Sequence, residues 1–112
     1  MPTSFFGALS DAVIANGANA SRAVYSDYEY SDATAITIQA PAALDALTFT
    51  LEVSQDGSSW TTASDGSNDL PVPAAGKAVQ YTELLSVKYW RIKASGNVAA
   101  DRTFKVSKQW TA

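Results

Sequence analysis

Between Leu47 and Trp60 the chain alternates with a regularity that few folds can accommodate. Leu47, Phe49, Leu51 and Val53 are apolar, and Thr48, Thr50, Glu52 and Ser54 between them are polar. That period of two belongs to a half-buried β-strand. Gln55-Asp56-Gly57-Ser58 follows, and Asp-Gly is a strong signal for a two-residue hairpin loop. With Asp56 and Gly57 in the loop, Val53 stands opposite Trp60, and opposed residues share a face. Trp60 is therefore predicted to join the apolar side.

The same alternation recurs on either side of this hairpin. Upstream, Ala8 to Ala15 fits a short helix, or Ala12 to Ile14 a first strand, and Asp27-Tyr28-Glu29-Tyr30 is an aromatic and acidic stretch. Thr34 to Ala40 alternates cleanly until Pro41, which removes a ladder donor. Downstream, Asp65 to Asp69 is dense in turn formers, and Pro71 and Pro73 confine Leu70 and Val72 to an edge or loop. Lys77 to Thr82, Ser86 to Ser95 and Thr103 to Trp110 alternate again. About seven or eight short strands at this spacing predict an all-β, single-domain antiparallel β-sandwich of jelly-roll type. Residues 1–20 are expected to form a partly extended N-terminal arm and residues 21–112 the sandwich domain. The inward parities select Ile36, Ile38, Phe49, Leu51, Val53, Trp60, Val79, Trp90, Ile92, Phe104 and Val106 as the core.

At 112 residues, with no cysteine and a formal charge of −3, the chain is sized for one domain that needs no disulfide. Thiols therefore say nothing about compartment. The acidic balance argues against nucleic acid, whose phosphates reward basic patches. Lys88, Arg91, Lys93, Arg102, Lys105 and Lys108 do gather near the end, but beside polar residues on strand faces, as on a solvated surface. No apolar run approaches the roughly 20 residues of a membrane span, and Ser4 to Leu9 lacks a basic leader. The expectation is a soluble, unprocessed chain.

Histidine and cysteine are both absent, which removes the usual triads, an imidazole base and an ordinary zinc site. A two-carboxylate glycosidase needs only Asp or Glu; Glu52 and Glu83 are the candidates, yet Glu52 sits on the polar face of a well-patterned strand. Asp65-Gly66-Ser67-Asn68-Asp69 spaces oxygens as a calcium loop does, but the twelfth position, which an EF-hand fills with glutamate, is Gly76. A plain turn is favoured. No enzymatic activity, cofactor or metal is expected. Phe5, Phe6, Leu9, Tyr25, Tyr28, Tyr30 and Trp110 are the aromatic and apolar residues left without an opposing pattern, and they are the candidate partner contacts. For Phe5 and Phe6 the competing reading is that they cap this domain's own core.

Several segments taken in order resemble a family of small virion proteins from tailed bacteriophages and prophages. They are Ala12 to Gly17, Ile36 to Pro41, Leu47 to Phe49, Ser54 to Trp60, Tyr89 to Gly96, and Ala99 to Phe104. Within that family the chain is most similar to a capsid decoration (cement) protein. The resemblance implies a non-enzymatic structural role on the virion's capsid surface, after synthesis in the host cytoplasm. It also implies bridging of major capsid subunits, and a dimer or trimer, with neither nucleic acid nor membrane as partner. Ser54 to Trp60 followed by Tyr89 to Lys93 is also similar to discoidin-like sugar- and lipid-binding sandwiches, though none of their binding-loop motifs is matched. The alternative function is thus a carbohydrate-binding or adaptor module of a phage tail or baseplate.

Overall fold

Among the described residues, nine segments form paired strands. The computed structural model describes residues 4–8, 11–26 and 33–111, with backbone alone for 4–8 and 110–111. Its strands are β1 (Ser4–Ala8), β2 (Ala12–Ile14), β3 (Val24–Tyr25), β4 (Ala35–Gln39), β5 (Phe49–Ser54), β6 (Thr61–Thr62), β7 (Ala78–Tyr81), β8 (Tyr89–Ala94) and β9 (Arg102–Thr111). One 3-10 turn, Glu83–Ser86, stands between β7 and β8. Over Ala12 to Ile14 the strand reading holds, and the helical one does not.

Every pairing is antiparallel, and the order is that of a long hairpin rolled up. β1 and β2 pair with β9, β3 with β8, β4 with β7, and β5 with β6. Contacts of β9 with β4, and of β8 with β5, then join these pairs into two sheets. The first reads β1-β9-β4-β7 with β2 also on β9, and the second β3-β8-β5-β6. This is the jelly-roll arrangement of a β-sandwich. Along β9 the register moves by one residue between its two N-terminal partners: Ala8 faces Ser107, whereas Ala12 faces Phe104. Residues 4–8 and 12–14 are thus components of the first sheet.

The core lies where the inward parities of the two sheets meet. Ile36, Ile38, Phe104, Val106 and Tyr81 come from the first sheet, and Leu51, Trp90, Ile92 and Val24 from the second; all are buried. Phe49 and Phe104 touch across the gap with ring centroids 6.1 Å apart. Each such side chain contributes roughly 1.5–3 kcal/mol on burial. Phe49, Val53 and Val79 are half-buried at its margin. Residues outside the alternating stretches complete it: Leu70, Leu84 and Val98 are buried. Tyr81 donates its hydroxyl hydrogen to the Pro71 carbonyl, which closes the proline-containing crossover onto the core. Burial, with Glu83 nearby, pushes that phenol well above its ordinary pKa.

One core expectation fails. Trp60 is half-exposed and stands outside the buried cluster. Val53 pairs with Thr61, not with Trp60, so the loop is longer than Asp-Gly suggested. A slip of one residue moves a side chain to the opposite face of the sheet.

Candidate functional site

The β5–β6 loop owes its length to side chains that compete with the ladder for backbone groups. Ser54 Oγ accepts from the backbone N–H groups of Asp56 (3.2 Å) and Gly57 (2.9 Å) and donates to Asp56 Oδ1 (2.9 Å). Asp56 Oδ1 also accepts from the N–H groups of Ser58 (2.8 Å) and Ser59 (2.9 Å). Those bonds, with the Ser59 and Ser58 amides strongest, hold the Asp56 carboxyl at about 2. Gly57 takes φ of 78°, and a Cβ there would lie 3.7 Å from the ring of Tyr89. The loop is therefore folded down onto β8.

This register places Trp60 on the parity of Glu52 and Arg91, the outward face of the second sheet. The Arg91 guanidinium lies 4.3 Å from the centre of the Trp60 ring. Its Nε donates to Glu52 Oε1 at 2.8 Å, with both side chains mostly shielded from water. Beside them, Tyr25 of β3 stacks on Tyr89 of β8 with centroids 5.0 Å apart and planes 22° from parallel. Lys88 Nζ stands 5.9 Å from the Tyr89 ring. Tyr25, Tyr89, Arg91, Glu52 and Trp60 thus run across the whole width of the sheet. A guanidinium clamped between a carboxylate and an indole face has little rotamer freedom left to lose. The arrangement is a pre-ordered surface for stacking and charge-assisted hydrogen bonding.

Of the sequence-predicted contacts, Tyr25 has a described side chain, and it is on this face. Phe5 and Trp110 are backbone partners across β1 and β9, and Phe6 faces Gln109 there, so these belong to the other sheet. The side chains of Phe5, Phe6 and Trp110, and all of Leu9, Tyr28 and Tyr30, lie outside the described residues. Trp60 and Arg91 are not among the candidates, whereas Tyr89 is an aromatic that the sequence leaves unconstrained, as it does Tyr25. Outward parity of Tyr89 and Arg91 is visible in Tyr-Trp-Arg-Ile-Lys, but the meeting of Arg91 with Trp60 depends on a register that the Asp-Gly signal misplaces.

Two carboxylates elsewhere, Asp45 and Asp65, hold loops together through hydrogen bonds. Asp45 takes a 2.7 Å bond from Arg102 Nε and a 2.9 Å bond from the Ala99 N–H. Those bonds, Arg102 first, hold its carboxyl below the usual range. Asp65 Oδ1 accepts from the N–H groups of Ser67 and Asn68 within a turn closed by a Ser64–Asp69 bridge. The cavity that Glu83 lines is not lined by Glu52. Among the described residues no group of three or more Asp or Glu is placed to hold a metal ion, and no helix is long and apolar enough to cross a membrane. Comparison with protein-family models, with curated proteins and with solved structures finds no match in any of the three.

Proposed function

We propose that the chain is a non-enzymatic structural protein of a tailed-bacteriophage particle, which decorates the capsid by bridging neighbouring major capsid subunits. The docking half of this reading is carried by one observation, the aromatic–guanidinium row across the second sheet. Trp, Tyr and Arg are the residue types that dominate interface energetics. Here Arg91 is held by Glu52 and Trp60 before any partner arrives, which lowers the ordering cost of binding. The virion half is supported by the ordered resemblance of six segments from Ala12 to Phe104. Jelly rolls also build viral shells, an argument by fold analogy alone. Many weak, symmetry-related contacts on one shell, made by a dimer or trimer, would add through avidity.

The second reading, a carbohydrate-binding or adaptor module of a tail or baseplate, is favoured by a specific feature of the same face. Trp60 and Tyr89 are ring systems on an outward sheet surface, where a pyranose could stack. Stoichiometry separates the two. In purified particles of the phage or prophage that encodes the chain, quantitative mass spectrometry should find it at hundreds of copies, on the scale of the major capsid protein. A few copies per particle would support the tail module instead. Complete absence from particles would remove both.

A further inference from the structure

A cleft at one end of the sandwich has chemistry distinct from the aromatic face. After β6 the chain leaves the second sheet through the Ser64–Asp69 turn, and Leu70 N–H bonds back to the Ala63 carbonyl at 2.9 Å. The 3-10 turn Glu83–Ser86 approaches from the other sheet. Between them lies a cavity of about 270 Å³. Its apolar walls include Val53, Ala63, Leu70 and Leu84, three of them buried, while Asp65 and Glu83 also line it. No lysine or arginine lines it among the described residues, and neither carboxylate has an ion pair there. Each has one oxygen occupied by the backbone: Asp65 Oδ1 by Ser67 and Asn68, Glu83 Oε1 by Thr82 at 3.2 Å. The amides on Asp65 keep its carboxyl below the usual range, so it stays ionised under ordinary conditions.

An apolar lining with two anionic groups and no cation selects a ligand of matching construction. A lysine side chain has it, a four-carbon stem that lies along apolar surface and an ammonium that stays at the wet edge. A purely apolar occupant would leave the carboxylates to be desolvated without compensation. An acidic or phosphorylated occupant would be repelled. We propose that this cleft binds a lysine side chain presented by a partner protein, its stem on Val53, Ala63, Leu70 and Leu84 and its ammonium between Asp65 and Glu83. The inference stands without the capsid reading, because the site is complete within one chain. On that reading, the lysine would belong to a capsid subunit.

The test uses the full chain in solution and a defined probe, N-acetyl-lysine methylamide, followed by backbone amide shifts in NMR. Binding should be about millimolar, as a ligand of this size allows. The shifted amides should be confined to residues 63–70 and 83–87. An Asp65→Asn, Glu83→Gln double variant keeps an acceptor oxygen at both positions, and its unchanged spectrum elsewhere would verify folding. In it, and with the Nε-acetylated probe on the native chain, affinity should fall about fivefold or more, the scale of two partly exposed charge pairs. Equal binding of the native chain to the neutral probe would overturn the proposal, as would shifts spread over all surface carboxylates, or none. Because no capsid enters the experiment, its failure leaves the decoration reading untouched, and a tail-like copy number leaves this one untouched.

Discussion

Among residues whose side chains are described, the outward face of the first sheet presents Thr37, Gln39, Gln80, Lys105, Ser107 and Gln109 with one exposed apolar residue, Val13, whereas that of the second presents Tyr25, Tyr89, Trp60, Arg91 and Glu52. Both lie over the same core and share one strand geometry, so the difference is in what each can exchange for water. On the first face Gln80 Nε2 reaches across β4 to Gln109 Oε1 at 3.2 Å, and the remaining hydroxyls and amides suit hydration. A partner covering it must replace each water bond, since a buried unsatisfied polar group costs about 1–3 kcal/mol. The second face offers ring area and a guanidinium already fixed at 4.3 Å over Trp60. There a partner gains contact without first ordering the side chains. On the proposed reading, the contrast makes the second sheet the face better suited to docking.

The comparison depends first on Trp60 being outside and Trp90 inside the same sheet. Trp90 is fully buried, and its Nε1 has no hydrogen-bond partner among the described residues, so its contribution is packing. Trp90→Ala should destabilise by about 3–5 kcal/mol in equilibrium urea unfolding. Trp60→Ala should lose only about 1–2 kcal/mol, from partial burial and the Arg91 contact. Equal losses would put both rings in the core and dissolve the outward aromatic row.

A smaller effect separates the two faces directly. On the capsid reading, Trp60→Ala or Arg91→Ala should weaken binding to undecorated particles by about 2 kcal/mol, roughly thirtyfold. Gln39→Ala and Lys105→Ala should each change it by less than about 1 kcal/mol. Co-sedimentation of labelled protein with particles measures both. If the ranking reverses, the first sheet is the docking surface.

Strand positions were legible where several alternating residues met the core, but not at the two-residue β3, whose Val24 is buried. Ile36 and Ile38, Leu51, Trp90 and Ile92, and Phe104 and Val106 are buried as their alternation demands. Leu84, Leu70 and Val98 were not legible, because a 3-10 turn and two loops deliver them to the core with no period to read. The candidate site failed for another reason. Asp56-Gly57 is a true turn signal, but Ser54, two residues earlier, bonds into the same turn and widens it. Ser-x-Asp-x-Ser-Ser is itself a pattern for side-chain-to-backbone bonding; read together with Asp-Gly, it argues for a longer loop. One residue of added length then carried Trp60 from the core to Arg91, and no local pattern records that meeting across strands.

The smallest expected effect tests the device that sets this register. The Asp56 carboxyl is depressed from an ordinary 3.8 to about 2 by the amides of Ser59 and Ser58 and by Ser54. A carboxyl depressed in the folded state adds stability that is fully present above its unfolded pKa. That stability fades as the pH falls through the folded value. For Asp56 the window therefore runs from near 3.8 down to about 2. Asp56→Asn retains an acceptor oxygen for the same amides but carries no charge. Its stability deficit relative to the native chain should be constant at neutral pH and should shrink across that window. Asp45 and Asp65 are also depressed, but both proteins carry them, so the difference isolates Asp56. Urea midpoints measured at a series of pH values report it, and the Trp60 indole N–H resonance should move over the same range. A deficit that does not vary with pH would mean the Asp56 charge is not what holds the loop, and the outward placement of Trp60 would need another cause.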